Sequence, residues 1–134
     1  MPIPALLQKG LTLPVICAPM FIVSNPDLVI AQCKSGVIGS FPALNARPKE
    51  LLDEWLTWIK AELADDPNAA AFAVNQIIHP SNERLQHDME LCVKHEVPLI
   101  ITSLRVPMQI VVEVNAYGGK VLNEVISVSN AEQA

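Results

Sequence analysis

Charge is scarce in this sequence. Only 17% of its 134 residues are Asp, Glu, Lys or Arg, and the nine Lys and Arg gather into no cluster. With a formal net charge of −5, the chain has no electrostatic footprint for nucleic acid. Long apolar runs are missing too, because prolines and charges break each one well short of a membrane span. The amino terminus, MPIPALLQKG, lacks the charged-then-apolar order of a secretory signal. Cys17, Cys33 and Cys92 are odd in number, widely spaced and without a CxxC pair. Neither a zinc site nor a disulfide framework is therefore expected, and the three read as free, buried small hydrophobes. No tandem repeat, low-complexity segment or linker interrupts the chain. These absences predict one soluble, cytoplasmic unit over residues 1–134, with no metal, nucleic-acid or membrane partner.

What is abundant is apolar material, 51% of the residues, more than a domain of this size usually hides. The stretch LPVICAPMFIVSNP, residues 13–26, organises the rest. Val15-Ile16-Cys17 reads as a short buried strand, opened by a proline that suits a strand's first residue. Pro19 ends the extended run at Ala18-Pro19-Met20. Asn25-Pro26-Asp27 then reads as an N-cap, a proline at the first helical position and an acid in the first turn. A strand, a small-residue loop and a helix make the first half of a βα unit. In α/β folds the loops at strand carboxyl ends carry the ligands.

The same period recurs along the chain. A helix from Pro26 to Ser35, closed by Gly36, precedes a strand from Val37 to Phe41. Pro48 to Ala64 reads as a helix with one apolar face, Leu52, Trp55, Leu56, Ile59 and Leu63. Trp55 and Trp58 are expected to pack on or beside that face. Asp65-Asp66-Pro67-Asn68 is turn chemistry, and Ala71 to Asn75 is a strand whose polar end, Asn75-Gln76, begins the next loop. Ser81 is expected to cap a third helix that turns Leu85, Met89, Cys92 and Val93 inward. His87 and His95, in charged company on that helix, read as solvated. Pro98 to Thr102 is the fourth strand and Pro107 starts a helix ending at Gly118-Gly119. Val121 to Ile126 is the fifth strand, and Ser129-x-x-Glu132 spells a capping box for a fifth helix.

Near-continuous apolar strands alternating with helices are the signature of a parallel sheet covered by helices. Five such units fit an open flavodoxin-like sheet or the front of an eight-unit barrel, which takes about 250 residues. The short last helix and the excess apolar content favour the barrel. The expected fold is therefore α/β, the amino-terminal part of a TIM (β/α)8 barrel with parallel strands in sequential order, ending at the start of helix five.

The residues also carry a specific resemblance. Residues 15–20 (VICAPM), 24–26 (SNP), 37–48 (VIGSFPALNARP), 72–75 (FAVN) and 101–103 (ITS) resemble nitronate monooxygenase, formerly called 2-nitropropane dioxygenase. The resemblance runs over essentially the whole chain. It implies an FMN-binding (β/α)8 barrel that oxidises alkyl nitronates or nitroalkanes with molecular oxygen. It places Ala18, Pro19 and Met20 along the isoalloxazine ring and Asn75 at the flavin's polar edge, with Phe21 and His79 as weaker pocket candidates. Small residues and exposed backbone let a flat ring approach, and Met offers a polarisable surface. A carboxamide offers donor and acceptor to the polar edge.

Where some family members place a His-Lys pair on strand five, this chain reads Asn123-Glu124, so an acid stands where a cation would face the flavin. The resemblance implies that the family's catalytic histidine falls beyond Ala134, so no catalytic residue is assigned in this chain. Two further readings stand beside this one: a related flavin barrel that reduces quinones or enoyl thioesters with NAD(P)H, and a half-barrel assembly module. Barrels commonly bind phosphate after strands seven and eight. The chain alone is accordingly expected to bind FMN weakly or not at all, and to self-associate through open sheet edges.

Overall fold

The computed structural model describes residues 3–105 and 107–133. In chain order they form α1 (Ala5–Gln8), α2 (Pro26–Lys34), β1 (Gly39–Pro42), a 3-10 turn (Ala43–Asn45), α3 (Leu51–Ala64) and β2 (Phe72–Ile77). There follow α4 (Leu85–Lys94), β3 (Leu99–Ser103), α5 (Met108–Ala116), β4 (Lys120–Asn123) and α6 (Val128–Gln133). The four strands are parallel and lie in the order β1-β2-β3-β4. From α2 onward, helices and strands alternate along the chain, as the sequence period requires.

Two apolar layers hold the sheet. On the helix side, Val29 and Cys33 of α2, Leu56 and Ile59 of α3, and Met89 and Cys92 of α4 pack with Phe41, Phe72, Val74 and Ile100 of the strands. Trp55 meets Phe41 edge-on, with ring centroids 5.7 Å apart. On the other side Leu7 of α1 and the partly buried Leu11 cover Ile38, Ala73, Leu99 and Ile101. Side chains alternate between the two layers because successive strand residues point to opposite faces. The inner face is thus closed by apolar groups toward the strands' amino ends, which leaves its carboxyl end to other residues.

The helix starts are only partly those read from the sequence. Asn25 caps α2 as expected: its Oδ1 accepts from Leu28 N at 3.0 Å, and Gly36 follows the helix at φ +83°. A Cβ at Gly36 would collide with the Thr12 side chain, so glycine is required there twice over. Ser81 does not cap α4, which starts at Leu85. Its hydroxyl lies 2.7 Å from His79 Nδ1, and a turn over residues 82–84 intervenes. Ser129 lies inside α6, and Ser127 Oγ receives Asn130 N at 3.1 Å instead. Pro48 precedes α3 by one turn, in which its carbonyl accepts from Leu51 N.

The strand bounds shift as well. The expected strand from Val15 to Cys17 contracts to a single parallel bridge between Ile16 and Ile38. Cys17 N donates to Ile38 O at 2.8 Å and Ile38 N to Val15 O at 3.0 Å, and there the pairing ends. Pro19 has no N–H to continue it. Val15 and Ile16 are exposed rather than buried. Asn75 lies in its strand as expected, and β2 runs on through Gln76 to Ile77, with Asn75 and Gln76 both buried and paired with Ile101 and Thr102 of β3. β4 ends at Asn123, with one further bond from Glu124 N to Thr102 O at 2.9 Å. Val125 and Ile126 lie beyond it and are exposed.

Candidate functional site

The loop after the Ile16 bridge is held from the next unit. Asn45, in the turn that follows β1, accepts from Ile22 N at 3.0 Å through Oδ1. Its Nδ2 donates to Met20 O at 3.0 Å and Ser24 O at 2.9 Å, so both ends of the amide are spent on this loop. Ser24, fully buried, accepts from Met20 N at 2.9 Å and returns its own N–H to Met20 O at 3.0 Å. These bonds keep Ile22 at φ +67°, a region that a β-branched residue rarely enters. Such a conformation costs on the order of 1–3 kcal/mol and persists where the surroundings over-determine it. Ala18 and Met20 are thereby fixed with their surfaces exposed, and Pro19 is half-buried. Phe21 is exposed, and the Arg47 guanidinium lies 5.1 Å from its ring centroid.

The Asn45 turn is itself anchored to α4. Arg84 donates from Nη1 to Ala46 O at 2.7 Å and from Nη2 to Ala43 O at 3.2 Å. Asp88, fully buried, lies 3.1 Å from Arg84 Nη2 and 2.9 Å from His87 Nδ1. A chain of contacts therefore runs from the α4 carboxylate through Arg84 and the Asn45 turn to the backbone of Met20.

A second polar chain crosses the strand ends on the inner face. Asn75 Nδ2 donates to Ile101 O at 3.1 Å and to Ser103 Oγ at 2.8 Å. Ser103 Oγ donates onward to Glu124 Oε2 at 2.7 Å. Asn75 and Ser103 are buried, and Glu124 is exposed at the end of the chain. Glu124 lines a cleft of about 380 Å³ with Leu104, Arg105, Asn123 and Asn130. Leu104 sits at φ +80° where β3 gives way to this cleft. Asn123, on the other side of β4, donates its amide to Thr102 Oγ1 at 2.8 Å and to Arg105 O at 3.0 Å.

The sequence-derived candidates thus fall at the carboxyl ends of the strands, in two clusters. Ala18, Pro19, Met20 and Phe21 share the loop governed by Asn45, and Asn75 belongs to the Ser103–Glu124 chain. His79 lies on the loop after β2, exposed, with its Nδ1 accepting from Ser81 N at 3.2 Å. His87 and His95 are partly exposed and each meets a carboxylate, not solvent alone. The former lies against Asp88, and the latter is 12% exposed with Nε2 2.6 Å from Asp53 Oδ1. Cys33 and Cys92 are buried, while Cys17 is partly exposed. Burial pushes their thiols up, to about 11 for Cys33 and about 12 for Cys92, so neither is a nucleophile near neutral pH. Among the described residues no three His, Cys, Asp or Glu side chains converge as metal ligands, and no helix is long and apolar enough to cross a membrane. Asn45, Arg84 and Arg105 were not singled out by sequence. The one available signal was polar residues just past strands that end in Pro42 and Ser103.

A sequentially ordered parallel sheet with helices on its outer face and polar chains at its carboxyl ends defines part of a (β/α)8 barrel. Two solved structures share that fold. FabK from Thermotoga maritima is 21% identical with a TM-score of 0.77, over 96% of this chain and 38% of that one. A variant of the same protein with one methionine-to-alanine substitution gives 21% identity and a TM-score of 0.73, over 96% of this chain and 40% of that one. The chain therefore spans about two-fifths of the length of the structures it resembles. No family model and no curated protein sequence matches it.

Proposed function

We propose that this chain is the ring-binding portion of a flavin-dependent oxidoreductase barrel, and that the barrel is an FMN-dependent nitronate monooxygenase. The FabK likeness supports the reading at the level of the flavin barrel. The resemblance of residues 15–20, 37–48 and 72–75 to nitronate monooxygenases supports the narrower assignment. The observation that carries it is the pairing of a rigidly held loop, residues 18–22, with a polar chain ending in Glu124 at the same end of the sheet.

The side chains fit the ring system of a flavin and not its phosphate. Ala18, Pro19 and Met20 offer a low surface on a backbone that Asn45 immobilises, and Asn75, Ser103 and Glu124 offer polar atoms for a ring edge. The described residues show no cluster of Lys and Arg with helix N–H groups of the kind that seats a phosphate. Bound there, FMN would supply electron transfer between substrate and oxidant. The chain's own residues would bind and orient the ring. Ring contacts without charge-assisted phosphate bonds make for weak binding by this chain alone.

A second reading has an observation of its own. Both solved structures described above are FabK, which favours a reductase barrel using NAD(P)H and an enoyl thioester or quinone. The two readings separate in one assay on a longer reading frame carrying this sequence. Nitronate-dependent oxygen uptake supports the first. NAD(P)H oxidation driven by quinone or enoyl thioester supports the second. A longer protein that purifies without flavin and shows neither activity defeats both, and leaves an assembly module.

A further inference from the structure

The polar chain at the strand ends has a definite hydrogen-bonding sense. Asn75 has two amide hydrogens, and both are used inside the protein, on Ile101 O and Ser103 Oγ. Ser103 has one hydroxyl hydrogen, used on Glu124. A carboxylate only accepts. Among the described residues nothing donates to Asn75 Oδ1, and Glu124 Oε1 likewise receives no hydrogen bond. Asn75 therefore does not offer a donor and an acceptor to a ligand, as its residue type suggests. The whole chain from Asn75 to Glu124 presents acceptors.

The cleft wall that flanks Glu124 has the opposite sense. Arg105 lines the same cleft, and also the neighbouring one with His79 and Glu83, and a guanidinium only donates. Among the described residues Arg105 and Glu124 form no ion pair, so both remain available to a ligand. Leu104, at φ +80° between Ser103 and Arg105, lines the same cleft as Arg105 and Glu124. An acceptor beside a donor is the complement of an imide, in which one N–H stands between two carbonyls.

Resting on the flavin reading above, we propose that Glu124 recognises the imide edge of the isoalloxazine by accepting its N3–H, with Arg105 facing a flanking carbonyl. Ser103 and Asn75 act as positioning residues that hold the carboxylate in place. An acid then stands at this ring edge because the edge is read at its donor and not at its electron-rich nitrogen. Uracil carries the same imide, so the ring system must be distinguished from the imide alone.

The test is an NMR titration of the isotope-labelled 134-residue chain with millimolar FMN, 3-methyl-FMN, which lacks the N3–H, and UMP. Chemical shifts of Ser103, Glu124 and the Asn75 side-chain amide are followed. FMN should move these signals, and 3-methyl-FMN should bind about tenfold more weakly, as expected for loss of a bond to a charged acceptor. In Glu124→Gln the preference for FMN over its methyl analogue should fall severalfold, while the dispersion of the spectrum reports an intact fold. UMP should bind more weakly than FMN. Equal affinity for FMN and 3-methyl-FMN overturns the inference and leaves the flavin reading standing. An unchanged preference in Glu124→Gln removes Glu124 from the role. UMP binding as well as FMN overturns the flavin as the source of the imide. No shift with any flavin at millimolar concentration overturns the inference, whereas the flavin reading, which allows this chain alone to bind none, is decided by whether the longer protein purifies with flavin.

Discussion

Asn45 Nδ2 lies 3.0 Å from the carbonyl oxygen of Met20, joining two strand-end loops 25 residues apart in the chain. With the bonds to Ile22 N and Ser24 O, it makes one side chain the main tie on the loop that carries Ala18, Pro19 and Met20. Asn45→Ala should destabilise the protein by about 1–3 kcal/mol, since Ile22 N, Met20 O and Ser24 O each lose a bond and, among the described residues, only Met20 O keeps another protein donor, Ser24 N. Urea denaturation measures the loss, and amide exchange at Ile22 should quicken. Unchanged exchange at Ile22 would show that the loop is held by its own packing.

Arg84 should matter more than its position on the outer side of the sheet suggests. It neutralises the fully buried Asp88 and holds the carbonyls of Ala43 and Ala46. Asp88 Oδ2 has no partner among the described residues, so without Arg84 only His87 would face the carboxylate. Removing one partner of a buried ion pair costs about 3–5 kcal/mol. Arg84→Met should therefore lower the urea midpoint strongly, whereas Arg84→Met with Asp88→Leu should recover part of the loss. A single substitution with no effect on the midpoint would refute the role given to this pair.

Thiol chemistry gives an independent check on burial. At pH 8 a disulfide reagent should modify Cys17 rapidly in the folded chain. Cys33 and Cys92, with thiols pushed up to about 11 and about 12 by burial, should react only after unfolding. Three fast thiols in native buffer would contradict the packing of α2 and α4.

Acid should act through Asp53. The His95 ring and then the Lys94 ammonium hold its carboxyl below the usual carboxylate range. A lowered folded pKa adds stability above the unfolded value, near pH 4, and loses it as pH falls through the folded value. The stability advantage of the natural protein over Asp53→Asn should be present at pH 6 and shrink below about pH 4. An advantage that is independent of pH would mean that Asp53 acts by packing alone.

The parts of the fold that were legible in sequence are those with local causes. The Asn25-Pro26 cap, the apolar face of α3 and the apolar runs of β2 and β3 depend on residues within a few positions of one another. Misread features depend on distant partners. Ser81 looks like a cap until His79 claims its hydroxyl, and Gln76 looks like the start of a loop until its pairing with Thr102 carries β2 on to Ile77. Val15 and Ile16 look like a buried strand, but only Ile38 pairs with them. Asn45 lay within the 37–48 stretch without a role, and Arg84 and Arg105 lay outside any pattern, because their partners or their cleft come from other βα units.

The same unpaired segments set the last expectation, which concerns association. The sheet ends on one side at the single Ile16 bridge and on the other at β4, whose outer edge meets no strand among the described residues. Exposed apolar side chains gather at both: Val15, Phe21, Ile22 and Val23 at the first, Leu122, Val125 and Ile126 at the second. Unpaired strand groups beside exposed apolar residues are a ready template for another chain. The purified 134-residue chain should therefore self-associate, with a mass that rises with concentration in size-exclusion light scattering. Leu122→Lys with Ile126→Lys charges the β4 edge without touching the buried layers and should shift the mass toward the monomer. Ile22→Lys should do so less, since that residue also serves the loop held by Asn45. A monomeric mass for the unsubstituted chain across the whole concentration range would show that these edges are self-protecting, through the twist of β4 or the cover of α6, and would remove the reason to expect a second copy against them.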